Sequence, residues 1–111
     1  MFKKTVMIDL DGVLNTYCGE YDEEVIPPVK EGAKEFLETL SENYELKLFT
    51  TRDKELATRW LVDNGLNELI KEVTNIKEPA WLYIDDRAIT FRGDYNNLLE
   101  EIKNFQVWFK K

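Results

Sequence analysis

Short runs of consecutive apolar residues alternate along this chain with stretches whose apolar positions recur every three or four residues. The first run, Val6-Met7-Ile8, sits within Thr5 to Leu10 and predicts a buried strand. Pro27-Pro28 predicts the opening of a helix, proline being suited to a first helical turn. Val29, Ala33, Phe36, Leu37 and Leu40 then fall on one face. Tyr44 to Thr50, with Leu46, Leu48 and Phe49, predicts a second strand. Asp53 can cap a helix whose apolar face is Leu56, Ala57, Trp60 and Leu61, and Asn64-Gly65 can stop it. A short helical turn over Glu68 to Lys71 and a small strand near Val73 follow. Trp81 to Asp85 is short, apolar and preceded by Pro79, which predicts another strand. Leu98, Leu99, Ile102 and Phe105 mark a last helix, and Val107-Trp108-Phe109 a final edge strand.

Strands alternating with helices imply an α/β fold: a parallel sheet of about five strands between two helical layers, a three-layer α/β/α Rossmann-like arrangement. Residues 1–111 fit one domain without internal repeat or linker. In such sheets ligands bind beyond the carboxyl ends of the strands, near the point where strand order reverses.

Composition narrows the chemistry. The chain has no histidine and a single cysteine, Cys18. An internal disulfide is impossible, and a zinc site of the usual kind is disfavoured. Acid–base work must fall to carboxylates, lysine, tyrosine or metal-bound water. The net charge of −7 argues against broad non-specific attraction to nucleic acid or anionic membrane. No apolar run reaches the length of a signal-peptide core or a membrane span, so a soluble cytoplasmic protein with no membrane partner is expected.

Two acidic pairs end apolar runs: Asp9-Leu10-Asp11-Gly12 after Val6-Met7-Ile8, and Asp85-Asp86 after Leu82-Tyr83-Ile84. Four carboxylates brought together resist ionisation unless a cation compensates them. Magnesium suits such a set, because it prefers oxygen ligands and takes one or two carboxylates with substrate phosphate. Thr50 and Arg52 end another apolar strand and offer a hydroxyl and a bidentate cation to a phosphoryl group. Lys77 precedes the strand that carries the second pair. The charge of the four aspartates matches that of one magnesium ion together with Lys77 and Arg52. Taken singly, each motif also has a plainer reading: a turn for Asp9 to Gly12, a helix start for Thr50 to Asp53, a surface lysine for Lys77. Arg87 can serve as a substrate contact or, the favoured reading, as an ion-pair partner that holds the acidic loop.

Taken in order, Asp9-Leu10-Asp11-Gly12-Val13, Thr50, Lys77 and Asp85-Asp86 resemble the four motifs of the haloacid dehalogenase-like hydrolase superfamily. The resemblance implies a phosphatase that forms an aspartyl-phosphate, with Asp9 as nucleophile and Asp11 as general acid and base. Thr50 and Lys77 would hold the phosphoryl group. Asp9, Asp86 and the main-chain carbonyl of Asp11 would bind Mg2+, with Asp85 a ligand or supporting partner. The acid at Asp11 disfavours dehalogenation. The stretch between Asp11 and Pro28 is too short for a cap domain, so the resemblance is to a small capless member with an open site that another subunit could cover. Tyr17, Tyr21 and Asp22 lie in the small flap that remains. Thr50-Thr51-Arg52-Asp53 and Ile84-Asp85-Asp86-Arg87 are locally similar to the phosphatase half of phage polynucleotide kinase–phosphatases. The implied substrate is a phosphorylated small molecule, a nucleotide or a nucleic-acid end. A non-catalytic, receiver-like magnesium and phosphoryl-binding module is the competing reading. It fits less well, because the middle strand ends in Thr50 rather than an aspartate.

Overall fold

Val6 and Ile8 point to one side of the first strand and Met7 to the other, and all three are buried. This continuous burial marks a strand in the middle of a sheet. The computed structural model describes residues 3–110 and places that strand, β1 (Lys4–Asp9), between two parallel neighbours. β2 (Tyr44–Phe49) pairs with it from Lys4↔Tyr44 to Asp9↔Phe49. β3 (Glu72–Thr74) continues outward from β2. β4 (Leu82–Ile84) lies on the opposite side of β1, in the register Ile8↔Ile84. The order β3-β2-β1-β4 reverses direction at β1, so the carboxyl ends of β1 and β4 flank the switch point, where α/β sheets bind ligands.

Two helices cover one face of this sheet. α1 (Ala33–Ser41) contributes Ala33 and Leu37, and α2 (Lys54–Asp63) contributes Ala57, Trp60 and Leu61. They share a single core with Val6, Ile8, Leu46 and Leu48, the side chains on that face of β1 and β2. α2 starts at Asp53, whose carboxylate accepts the Leu56 N–H at 3.0 Å. It stops where Gly65 takes φ 69° and Leu66 N–H reaches back to Leu61 O at 2.8 Å, a left-handed C-terminal cap.

The opposite face differs from expectation. Met7 and Phe49 lie there beside Lys47, which bridges Glu72 at 3.3 Å and Glu78 at 2.9 Å. The last helix, α3 (Tyr95–Asn104), has no buried residue and packs against no other helix or strand among the described residues. The observed architecture is a four-stranded parallel sheet with three helices, two of which pack on one face. The predicted fifth strand and second helical layer are absent among the described residues.

Three local expectations also change. Val107-Trp108-Phe109 forms a turn closed by Lys110 N–H to Val107 O at 3.0 Å, because Val107 is buried and the Trp108 indole is anchored on a distant loop. Pro28 does not open α1. Residues 28–30 instead pair with the segment after β1 through an Asn15↔Val29 bridge, and Lys30 N–H is taken by Leu14 O at 2.8 Å. α1 begins only after Gly32, at φ 89°. The turn expected over Glu68 to Lys71 lies slightly earlier and is a single hydrogen-bonded turn rather than a helix, with Leu69 N–H on Leu66 O at 3.0 Å. No helix of the described residues is long and apolar enough to cross a membrane.

Candidate metal centre

Because Ile8 and Ile84 are paired, Asp9 and Asp85 leave adjacent strands at the same level. Oxygen atoms from Asp9, Asp85 and Asp86 all lie within 4.8 Å of one another. No salt bridge among the described residues reaches any of the three. Burial raises the Asp9 carboxyl from its ordinary value to about 7, and the neighbouring charges of Asp85, Asp86 and Asp11 add to the effect. Asp86 is shifted upward too, chiefly by burial and then by Asp85. Its Oδ2 is buried without a hydrogen-bond partner, which a carboxylate oxygen rarely tolerates. Three converging carboxylates with one orphaned oxygen have the donor chemistry of a hard divalent cation site.

Gly12 makes that approach possible. Its φ is 84°, a left-handed conformation that glycine adopts without strain. A Cβ at this position would collide with Asp86 Oδ2. The loop is held from within by Asn15, fully buried, whose Oδ1 accepts Gly12 N–H at 3.1 Å and Tyr17 N–H at 3.0 Å.

Asp11 stands apart from the triad. Its Oδ2 accepts from Arg52 Nε at 2.8 Å, and its Oδ1 accepts from Arg52 Nη2 at 3.1 Å and from Asn15 Nδ2 at 3.0 Å. The Arg52 side chain is fully buried. Its Nη1 donates to Asp22 O at 2.8 Å, and its guanidinium lies 4.5 Å from the centroid of the Tyr21 ring. A buried guanidinium must be paired to be tolerated, and here Asp11 and the flap pair it. Arg52, expected as a phosphate clamp, is turned to Asp11 instead. Tyr21 and Asp22 thereby acquire a role that composition and spacing do not reveal.

Thr50 is buried just beyond β2. Its Oγ1 accepts Arg52 N–H at 3.1 Å, leaving the hydroxyl proton for another acceptor. Asn75 crosses from the β3 end to bond Thr50 O at 2.6 Å and Arg52 O at 2.8 Å, so it fixes the path of both residues. Lys77 is exposed, with Nζ 4.6 Å from the Tyr83 ring centroid. It lines, with Asp9 and Asp85, a cleft of about 480 Å³ that continues over Met7, Phe49 and Tyr83. Among the expected site residues, Asp9, Asp85 and Asp86 thus come together and Lys77 shares their cleft, whereas Asp11 and Arg52 form a separate pair beside them. Asn15 and Asn75 escaped the sequence reading, because an asparagine that bonds main chain carries no spacing signal that separates it from an ordinary loop one.

No known protein family matches the chain, and no curated protein matches it. It is similar to a solved structure from Bacteroides thetaiotaomicron, described as that of a conserved protein coded by a locus of that organism. The identity is 26% and the TM-score 0.62, over 92% of this chain and 91% of the other. This likeness supports the α/β fold.

Proposed function

We propose that this chain is a magnesium-dependent phosphatase that hydrolyses a phosphate monoester through a phosphorylated Asp9, in the manner of haloacid dehalogenase-like hydrolases. One observation carries the reading: Asp9, Asp85 and Asp86 converge at the switch point while Asp86 Oδ2 has no partner. With Arg52 committed to Asp11, the triad's charge is matched by one divalent cation and Lys77. Asp9, Asp86 and Asp85 would hold magnesium, with the main-chain carbonyl of Asp11. When bound, the ion would neutralise the cluster and polarise the phosphoryl oxygens.

Asp9 attacks phosphorus with one carboxylate oxygen, forming an O–P bond as the bond to the leaving oxygen breaks. Asp11 supplies the proton to that leaving oxygen. Water then attacks the aspartyl-phosphate, Asp11 takes its proton, and inorganic phosphate departs. Lys77 and the Thr50 hydroxyl stabilise charge on the phosphoryl oxygens. Both Asp11 oxygens accept from Arg52, and Oδ1 from Asn15 as well, so Asp11 takes up the proton it donates only when one of those bonds yields. The open site suits a phosphorylated small molecule, a nucleotide or a nucleic-acid end.

The test is hydrolysis of an aryl phosphate with magnesium present. Asp9→Asn should abolish turnover while leaving the fold intact. Retention of substantial activity in that variant would rule out the assignment.

A further inference from the structure

Lys77 is the one basic side chain among the described residues that line the cleft beside Asp9 and Asp85, yet it pairs with neither. No salt bridge among the described residues reaches it. A lysine has a long, flexible stem, and uncompensated carboxylates nearby attract its charge. The Lys77 ammonium instead lies 4.6 Å from the centroid of the Tyr83 ring, within the range of a cation–π contact. Tyr83 and Asp85 are two positions apart, so they project from the same face, and both line the cleft. The ring therefore stands one strand repeat, about 7 Å, before Asp85. The same tyrosine holds the main chain next to Lys77, its hydroxyl donating to Glu78 O at 2.6 Å. The Glu78 carboxylate accepts from Lys47 Nζ at 2.9 Å, and Lys47 is fixed in turn by Glu72. On the other side of Lys77, Ile76 N–H donates to the Thr74 hydroxyl at 3.0 Å, and Asn75 donates to Thr50 O and Arg52 O. The loop is thus anchored at residues 75, 76 and 78, and the Lys77 side chain rests on the Tyr83 ring.

We infer that Tyr83 is a positioning residue for Lys77: its ring holds the ammonium in the cleft and off the carboxylates, while its hydroxyl holds the main chain from which that side chain projects. The inference rests on the proposed role of Lys77 as a phosphoryl ligand and names the group that keeps it available. A ring face holds a cation without supplying a hydrogen-bond acceptor, so the ammonium keeps its N–H donors for a phosphoryl oxygen. Lys47, on the same face of the sheet, shows the alternative. Its ammonium is committed to Glu72 and Glu78 and is not available to an anion. A side chain already confined by the ring also loses less freedom when an anion arrives, which favours binding.

Calorimetric titration of inorganic phosphate in the presence of magnesium tests this, on wild type, Tyr83→Leu, Lys77→Met and the double variant. Lys77→Met should weaken phosphate binding about tenfold, the loss of one charge-assisted hydrogen bond. Tyr83→Leu should weaken it about threefold, the scale of an exposed cation–π contact. Tyr83→Phe keeps the ring and should lose less. In the Lys77→Met background, Tyr83→Leu should have no further effect, a coupling that a merely structural role would not produce. An equal loss in both backgrounds, a Lys77→Met variant that binds phosphate as tightly as wild type, or a wild-type chain that binds none would overturn the inference. A second measurement needs neither magnesium nor phosphate. In nuclear magnetic resonance spectra the Lys77 ε-methylene protons should be shifted upfield by the ring and return to the position of the other lysines in Tyr83→Leu. Absence of that shift in the wild type would refute the contact. Turnover that persists in Asp9→Asn would overturn the catalytic reading alone, because neither measurement depends on hydrolysis.

Discussion

The indole N–H of Trp108 donates to the carbonyl oxygen of Gly12 at 2.9 Å, across 96 residues of sequence. The bond ties the last turn of the chain to the loop whose geometry admits Asp86. The indole is itself braced, by Lys30 at 5.1 Å from its ring centroid and by an edge contact with Phe109. Trp108→Phe keeps an aromatic ring but deletes the donor together with the five-membered ring. It should cost at least about 1 kcal/mol of stability, the typical net worth of one hydrogen bond. A loop freed at Gly12 should also weaken magnesium binding, read by calorimetric titration. Unchanged affinity would show that the tail braces the fold but not the metal loop.

Arg52 and Asp11 form the most buried ion pair among the described residues, with side-chain exposures of 0% and 18%. Removing one partner of such a pair leaves a charge without compensation, at a cost of about 3–5 kcal/mol. Arg52→Met should lose stability on that scale in urea unfolding. Arg52→Lys should fall between Met and wild type, since an ammonium cannot reproduce the two-point contact with Asp11. If Arg52 clamped substrate instead, Arg52→Met would raise KM and leave stability near that of wild type.

The strands were legible because Val6 to Ile8 and Leu82 to Ile84 are apolar runs too short for helices, each closed by an aspartate, and because Leu46 and Leu48 alternate with Lys47. The Asp53 cap and the Gly65 stop were legible for local reasons: each acts within four residues of itself. What escaped the sequence is non-local. Pro27-Pro28 looks like a helix start, yet Val29 is drawn into a bridge with Asn15. Arg52 looks free for phosphate until Asp11, 41 residues away, claims it. Val107-Trp108-Phe109 has the composition of a strand, but no strand edge receives it, and Trp108 finds Gly12 instead. Leu98, Leu99, Ile102 and Phe105 do form an amphipathic helix. Periodicity says that such a face must be covered, but not by what.

The raised Asp9 carboxyl gives the metal-free protein a definite pH dependence. The folded chain keeps this proton up to about pH 7, whereas an unfolded aspartate releases it near 4 (about 3.9). Between those values the folded state binds more protons, so stability falls as pH rises through the window and levels off above it. Asp86 acts in the same direction. Glu78, lowered by its bond to Lys47, acts oppositely, its contribution fading on acidification. Thermal melts in chelator should therefore show a decline from acid to neutral pH that Asp9→Asn largely removes. Magnesium affinity should run the other way and strengthen up to about pH 7, because the ligands must be ionised to bind. A metal-free stability that rises across the window would contradict the assignment of Asp9 as a carboxyl buried among like charges.

Gly12 is where backbone and site constraints coincide, so Gly12→Ala tests both. At φ 84° an alanine incurs strain of about 1–3 kcal/mol, and its methyl would push against Asp86 Oδ2. The strain alone would lower stability in any buffer. If magnesium occupies the triad, displacement of Asp86 would in addition abolish the gain in stability expected from saturating magnesium, about 2.7 kcal/mol at a hundredfold excess over Kd. Asp86→Asn separates the two effects, because it removes the proposed metal ligand while keeping Gly12 and relieves repulsion in the triad. Asp86→Asn should thus be at least as stable as wild type without metal and unresponsive to magnesium, whereas Gly12→Ala should be both weaker and unresponsive. A magnesium-dependent rise in melting temperature that survives in both variants would place the ion elsewhere on the molecule.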